Sequence, residues 1–167
     1  MTVSTEQHDI SWTQLDSPIG CLTILADSEG VIEIRFPNNS TPLLAESRHK
    51  NKWLDQAVEQ LSAYFDGRLK TFDLPLSLHG TDFQQNVWAQ LQKVAHGTTA
   101  SYGQIASALG KPKVARAVGM ANNKNRIPII IPCHRIIGSN GSLTGFAGGL
   151  DTKRWLLRHE GVSLEDK

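Results

Sequence analysis

The first 36 residues contain three strand-length apolar segments in close succession, and this pattern constrains the fold more than any other feature. The segments are residues 10–15, 21–26 and 31–36, separated by the sequences DSPIG and DSEG. Asp, Ser, Pro and Gly are typical turn residues, and short apolar segments between such turns are typical of strands. Connections this short join antiparallel neighbours, so the sequence predicts a three-stranded antiparallel meander.

Helical patterns dominate the rest of the chain. Apolar residues recur at helical spacing between residues 53 and 65. The segments TDFQ at 81–84 and SYGQ at 101–104 have the capping-box pattern that starts helices. Strands followed by helices indicate an α+β fold. We expect an N-terminal α/β domain over residues 1–80, with a small antiparallel sheet and one helix, and a mostly helical domain over 81–167.

The charges are strongly segregated, although the net charge is only +1. Residues 1–82 hold twelve carboxylates and six bases, whereas residues 83–150 hold seven bases and no carboxylate. Residues 151–167 hold four of each and cancel. A chance distribution is the alternative, but a long acid-free stretch is improbable when acids normally occur at about one residue in ten. The basic half therefore predicts a polyanionic partner.

Cysteine usage and hydropathy bear on the compartment. Only Cys21 and Cys133 occur, without CxxC spacing, which argues against a disulfide framework and a zinc site. We interpret Cys21 as a packing residue. The chain has no apolar run of membrane-spanning length and its polar start lacks a signal-peptide pattern. We expect no membrane association, no metal, and a reducing cytoplasm in which Cys133 stays a free thiol.

Two short predicted helices flank the basic turn GKPK at residues 110–113 and form a helix-turn-helix arrangement. The second helix, over residues 114–122, carries Arg116 among small residues such as Ala117 and Gly119. Small residues let a helix approach a surface closely, and the DNA minor groove is narrow. An ordinary helical hairpin is the alternative, but the basic charge favours DNA binding.

The apolar residues 127–131 lead directly into the sequence PCHR at 132–135. The run Ile129–Ile131 predicts a short buried strand, which Pro132 ends because proline has no N–H to donate. A thiol beside an imidazole suggests nucleophilic chemistry, whereas a cysteine packed as a small apolar residue is the alternative.

The C-terminal segment supplies a loop and a last helix. The sequence GFAGG at 145–149 lacks phosphate-loop and dinucleotide spacing, so we interpret it as a pocket wall, with Phe146 placed to stack on a planar ligand. Asp151 is expected to cap a helix over residues 153–160. Glu160 ends this helix, where the macrodipole disfavours negative charge. Pairing with His134 would explain this carboxylate, and a solvated helix end is the alternative.

Together these segments resemble the O6-alkylguanine-DNA alkyltransferases, also called methylated-DNA–protein-cysteine methyltransferases, in their stand-alone bacterial form. The central motif is Pro132-Cys133-His134-Arg135 after an Ile-rich segment and an Asn. The resemblance covers nearly the whole chain, in the family's order, through residues 16–20, 81–84, 101–104, 115–119 and 148–161.

The resemblance implies direct-reversal DNA repair. Cys133 would accept an alkyl group from O6 of a flipped guanine in one irreversible turnover, with O4-alkylthymine as a further candidate substrate. His134 would take the thiol proton through a bound water, Glu160 would hold His134 in the required tautomer, and Asn125 would position the thiol-bearing loop. No cofactor is implied. The expected state is a monomer, with cooperative binding along DNA left open.

The resemblance also implies a winged helix-turn-helix in the minor groove of duplex DNA. Tyr102 would contact the flipped nucleotide, and Arg116 would fill the gap that it leaves. The resemblance implies further contacts with DNA or substrate at six other residues, namely Ser101, Ala117, Gly119, Arg135, Phe146 and Ala147.

Two positions depart from the family pattern. Arg126 stands where a proline usually follows the Asn, and Phe146 replaces a Tyr. Two other classes compete with the alkyltransferase. A non-catalytic binder of damaged DNA would lack the thiol that Cys133 provides. An unrelated cysteine hydrolase would need a direct pair between Cys133 and His134, yet neighbouring side chains on an extended segment point to opposite faces.

Overall fold

A computed structural model describes residues 10–39, 41–43 and 50–164. The chain divides into two compact units, with the boundary between Leu78 and His79. The fold is α+β, as predicted. In the described residues, the first unit holds an antiparallel sheet and one helix, and the second holds four helices with a short two-stranded sheet. None of the helices described is both long and apolar enough to cross a membrane.

The first unit is built on a three-stranded sheet of order β1-β2-β3, which confirms the predicted meander. Its strands are β1 (Ser11–Ser17), β2 (Gly20–Ala26) and β3 (Val31–Arg35), all antiparallel. The turn between β1 and β2 depends on Gly20, whose φ is +102°. A Cβ there would also lie 2.5 Å from the ring of Pro37, so only glycine fits.

Helix α1 (Lys52–Phe65) packs on the sheet and completes the core of the first unit. Asn51 starts it, because its side chain accepts hydrogen bonds from the first backbone N–H groups of the helix. The helical spacing of apolar residues was the correct signal, and the buried positions are Leu54, Ala57, Leu61 and Tyr64.

The second unit contains α2 (Asp82–Leu91), α3 (Tyr102–Ala108), α4 (Ala115–Asn123) and α5 (Leu150–His159). Both predicted capping boxes form, at the starts of α2 and α3. Helix α2 packs on α4, and the indole N–H of Trp88 donates to the carbonyl of Ala121 at 2.9 Å. Asp151 is not the cap of α5, because the helix already begins at Leu150 after Gly149.

The predicted strand at Ile129–Ile131 is wrong. These residues are buried, but they form a turn in which Ile131 N–H donates to the Ile127 carbonyl at 3.0 Å. Ile129 has a φ of +75°, which is rare for a β-branched residue. A single 3₁₀ turn over Cys133–Arg135 follows. Cys133 and His134 therefore lie on a 3₁₀ turn and not on an extended segment.

A short pair of parallel strands joins the helix-turn-helix part of the second unit to the part that carries Cys133 and His134. Strand β4 (Ala100–Ser101) pairs with β5 (Ile136–Ile137). Helix α3 starts directly after β4, and the 3₁₀ turn with Cys133 ends directly before β5. The pairing therefore fixes the start of the helix-turn-helix beside the residue that follows the thiol-bearing turn.

Candidate active site

Asn125 closes the buried turn that precedes the thiol. Its Nδ2 donates to the Ile131 carbonyl at 2.9 Å, and its Oδ1 accepts from Ile127 N–H at 3.0 Å. One buried side chain thus gives the Ile127 N–H an acceptor and the Ile131 carbonyl a second donor, beside the Cys133 N–H at 2.7 Å. Arg126, next in the chain, is exposed.

Cys133 is a buried free thiol, only 5% exposed. Burial raises the pKa of the Cys133 thiol to about 11, against the smaller lowering effects of a hydrogen bond with Asn125 and the positive charge of Lys153. The sulfur is therefore protonated at neutral pH. A reaction that uses it as a nucleophile must remove the proton, because the thiolate is the reactive form.

His134 and Glu160 form a fully buried pair, with 2.7 Å between Nε2 and Oε2. Burial lowers the pKa of His134 although the Glu160 carboxylate opposes this, so the imidazole is neutral at neutral pH. Hydrogen bonding to the carboxylate places the ring proton on Nε2. Nδ1 has no hydrogen-bond partner within the described part of the chain. This nitrogen is therefore the ring atom able to accept a proton.

Arg135 lies inside the protein, which contradicts its expected contact with DNA or substrate. Its Nε and Nη2 donate to the two oxygens of Glu160 at 2.8 and 3.1 Å, and Nη1 donates to the Val94 carbonyl at 2.6 Å. Bidentate pairing of this kind is the strong form of the arginine–carboxylate interaction. It explains why a carboxylate is tolerated at the buried end of α5, and it excludes the alternative of a solvated helix end.

Lys153 is a buried residue that the sequence did not single out. Its Nζ donates to the carbonyls of Ile136 at 2.6 Å and Thr144 at 3.1 Å. Burial lowers the pKa of Lys153 to about 8, and attraction to Cys133 opposes this change. The sequence did indicate that Lys153 is buried, because Lys153, Leu156 and Glu160 share one face of α5 at helical spacing.

The residues expected to contact DNA lie on or near α3 and α4. Arg116 is exposed on α4, while Ala117 and Gly119 are half-buried. Gly119 faces the ring of Tyr102, which would be 3.7 Å from a Cβ at that position. The Ser101 hydroxyl is already engaged, since it accepts from Gln104 N–H as the cap of α3.

The glycine-rich loop at residues 145–149 is connected through Thr144 to Tyr102 at the start of α3 and to the buried Lys153. Thr144, directly before it, is hydrogen-bonded through its hydroxyl to the Tyr102 hydroxyl at 2.5 Å. The Thr144 carbonyl accepts from Lys153. Phe146 is half-buried and Ala147 is exposed. In the described ranges, no group of three or more His, Cys, Asp and Glu side chains could hold a metal ion.

Comparison with known proteins gives consistent matches over both units. Residues 10–78 match the model of the 6-O-methylguanine DNA methyltransferase ribonuclease-like domain. Residues 82–162 match the DNA binding domain of the same family. A methylated-DNA–protein-cysteine methyltransferase of Methanosarcina acetivorans is 47% identical over 87% of this chain and 95% of its own. The constitutive enzyme of that name from Bacillus subtilis is 40% identical over 93% of this chain and 98% of its own.

Solved structures agree with these matches. The crystal structure of Mycobacterium tuberculosis OGT in complex with DNA has a TM-score of 0.82 to this protein and is 45% identical in sequence. The match covers 90% of this chain and 92% of that one. The buried thiol, the imidazole–carboxylate pair and the helix-turn-helix all lie within residues 82–162, which match the DNA binding domain of the family. The chain belongs to the methylated-DNA–protein-cysteine methyltransferase family.

Proposed function

We propose that this protein repairs O6-alkylguanine in duplex DNA by transferring the alkyl group to its own Cys133. The observation that carries this proposal is the buried thiol of Cys133, followed directly by an imidazole whose other nitrogen is held by Glu160. This is the nucleophile, base and orienting group of cysteine catalysis. A binder without chemistry would have no need of this arrangement.

The reaction is a single displacement. The Cys133 thiol passes its proton through a bound water to Nδ1 of His134, and the thiolate attacks the alkyl carbon on O6. A sulfur–carbon bond forms while the carbon–oxygen bond breaks, and that electron pair stays on the purine oxygen. The proton held by His134 then passes to the purine anion, which restores neutral guanine and neutral imidazole, and Cys133 remains as a neutral thioether.

Each of the neighbouring residues has a defined role in this step. Glu160 holds the tautomer of His134, and Arg135 neutralises the charge of Glu160 so that the imidazole need not be protonated. Asn125 fixes the turn that delivers the thiol. Phe146 and Ala147 form a wall of the pocket for the flipped base.

DNA binds on the basic, acid-free half of the chain. The exposed Arg116 on α4 enters the gap left by the flipped nucleotide, and Ala117 and Gly119 permit close approach to the minor groove. Tyr102 and Ser101 lie at the start of α3, where they contact the phosphate of the turning nucleotide. Extrusion is required because O6 lies on the major-groove edge of the base pair, whereas α4 enters the minor groove, so the base must leave the stack to reach Cys133.

The thioether has no simple route back to the thiol, so each chain acts once. We expect the protein to act as a monomer. A cytoplasmic location suits this chemistry, because a reducing compartment keeps Cys133 available.

The decisive experiment measures where the methyl group goes. The protein is incubated with a duplex containing O6-methylguanine, and its peptides are weighed. One methyl group is expected on the peptide with Cys133 and none on the peptide with Cys21. Cys133→Ser should abolish transfer, whereas Cys21→Ser should leave it intact. Transfer of more than one methyl group per chain would contradict the single-use mechanism.

A further inference from the structure

Met120 is the most exposed large apolar side chain in the part of the chain that the structure describes, at 65% exposure. It lies on α4, the second helix of the helix-turn-helix, whose Val118 and Ala121 are buried in the ordinary way. The proposed function gives a part to Arg116 on this helix and none to Met120.

The exposed residues of α4 and its C-cap form one stripe, which we call the α4 stripe. It consists of Arg116, Met120, Asn123 and the C-cap residue Lys124. Residues four apart lie on the same face of a helix, so Met120 stands between two cations, each about 6 Å away along the helix axis. The stripe lies within residues 83–150, which contain no carboxylate.

The composition of the α4 stripe indicates what covers it. Two cations on either side of an apolar side chain match a polyanion that presents less polar surface between its charges. The minor groove of duplex DNA has this form, with phosphates along both sides, and proteins that bind there commonly place Met, Leu, Ile or Phe against the base steps. Residues 82–162 match the DNA binding domain of a known family, which favours DNA over an acidic protein surface.

We propose that Met120 is an apolar minor-groove contact, lying against the sugar and base edges beside the gap that Arg116 fills, while Lys124 pairs with a phosphate. The place of Arg116 rests on the proposed function, whereas the contact of Met120 with duplex DNA rests on the α4 stripe. Burying Met120 removes apolar surface from water and releases no counterion, whereas a lysine–phosphate contact does release one. The two contributions therefore differ in their response to salt.

The test measures binding of a fluorescent duplex by anisotropy between about 50 and about 200 mM salt, in a Cys133→Ser background that prevents transfer. Met120→Gln keeps the length and helix propensity of the side chain but makes it polar. We expect it to weaken binding about tenfold at every salt concentration, with an unchanged salt slope. Met120→Leu should stay within about twofold of the parent. Lys124→Gln should instead reduce the slope by about one.

A second measurement needs no substitution. Hydrogen peroxide converts an accessible methionine into its sulfoxide, and peptide masses report the rate for Met120. Saturating duplex should slow this oxidation several-fold. Thermal unfolding and sedimentation without DNA check that the Met120 variants are folded and keep the oligomeric state of the parent.

Three results would overturn the proposal. They are parental affinity of Met120→Gln at every salt concentration, a salt slope that falls together with its affinity, and oxidation of Met120 that duplex does not slow. A change of sedimentation in DNA-free Met120→Gln, with unchanged DNA affinity, would assign the α4 stripe to a second copy of the chain. If the wild-type protein transfers no methyl group but Met120→Gln still weakens duplex binding, the proposed function fails while the contact of Met120 stands.

Discussion

Glu160 Oε2 lies 2.7 Å from His134 Nε2, and both side chains are shielded from solvent. The same carboxylate is held from its other side by the guanidinium of Arg135. Because Arg135 balances the charge of Glu160, the carboxylate can orient the imidazole without forcing it to become an imidazolium. The ring stays neutral and its Nδ1 can accept a proton, which is the state that a base for Cys133 requires.

Replacing Glu160 with Gln should damage stability and activity together. The change leaves the buried Arg135 without its counter-charge, which costs about 3 kcal/mol or more of unfolding free energy. It also leaves one amide oxygen for His134 and Arg135 to share and can turn an NH2 group toward His134, so the tautomer is no longer fixed and the single-turnover rate with free O6-benzylguanine should fall about a hundredfold. Urea unfolding and rapid-quench kinetics measure the two effects. Asp151→Asn, an exposed carboxylate on the same helix, is the control and should change neither.

Acid should destabilise the protein through His134. The unfolded chain binds a proton at the ordinary imidazole pKa of 6.5, whereas burial lowers the pKa of His134 in the folded protein. The unfolded state therefore binds more protons below pH 6.5, so the unfolding free energy decreases as the pH falls through this value. Urea titrations at several pH values should show a shallower decrease for His134→Gln. Equal slopes for both proteins would mean that His134 is not the responsible group.

Lys153 predicts a gain of stability as the pH rises into mild alkali. Its pKa is lowered from 10.5 to about 8 in the folded protein, so the unfolded chain binds more protons in this window and stability rises with pH. Above pH 9.0 the raised pKa of Cys133 acts in the other direction. The clear window is pH 8 to 9, where wild-type protein should gain about 1 kcal/mol. Chemical denaturation should find this gain absent from Lys153→Met.

Asn125→Ala should release the turn before the thiol. It leaves Ile127 N–H buried without a partner, at a cost of about 1 to 3 kcal/mol, whereas the Ile131 carbonyl keeps its bond from Cys133 N–H. Alkylation of Cys133 by free O6-benzylguanine should slow as well, because the thiol is no longer held in place. Asn123→Ala, an exposed Asn on α4, is a matched control. A variant that retains wild-type stability would rule out this role for the Asn125 side chain.

Arg116→Ala should separate DNA handling from chemistry. The side chain is exposed on α4, so its removal should leave the rate with free O6-benzylguanine unchanged. Repair of methylated duplex should slow by at least about tenfold, because extrusion of the base loses its support and unstacking costs a few kcal/mol. Lys70→Ala, which removes an exposed base in the first unit, serves as the control. Equal losses on both substrates would contradict the base-flipping role.

The meander and the helices could be predicted because their signals are local. Turn residues separate the strands, and the capping boxes at Thr81 and Ser101 mark two helix starts directly. The run Ile129–Ile131 was correctly predicted to be buried but wrongly assigned as a strand. A short apolar run reports burial without reporting backbone conformation, and here the side chain of Asn125 folds the run into a turn.

The errors at the site concern basic residues whose partners are distant in sequence. Arg135 lies in the acid-free stretch and was assigned to the DNA contacts, yet its partner Glu160 is 25 positions away. The helical spacing of Lys153 with Leu156 and Glu160 could have indicated that Lys153 is buried, but its acceptors are backbone carbonyls, which the sequence does not reveal. The pairing of Glu160 with His134 could be expected because a carboxylate at a helix end needs a compensating partner.

The parallel pairing of Ala100–Ser101 with Ile136–Ile137 also governs where the chain can change in length. The pairing closes everything between these strands into a loop whose two ends are fixed. An extra residue near Asn125 or Ile131 would shift the thiol relative to α3, whereas residues 110–113 are exposed between α3 and α4. Exposed turns of this kind tolerate added residues best. Insertions between Gly110 and Lys113 should therefore leave the fold and the thiol site intact while weakening duplex binding, because this turn joins α3 to α4, whereas insertions close to the thiol should be rejected.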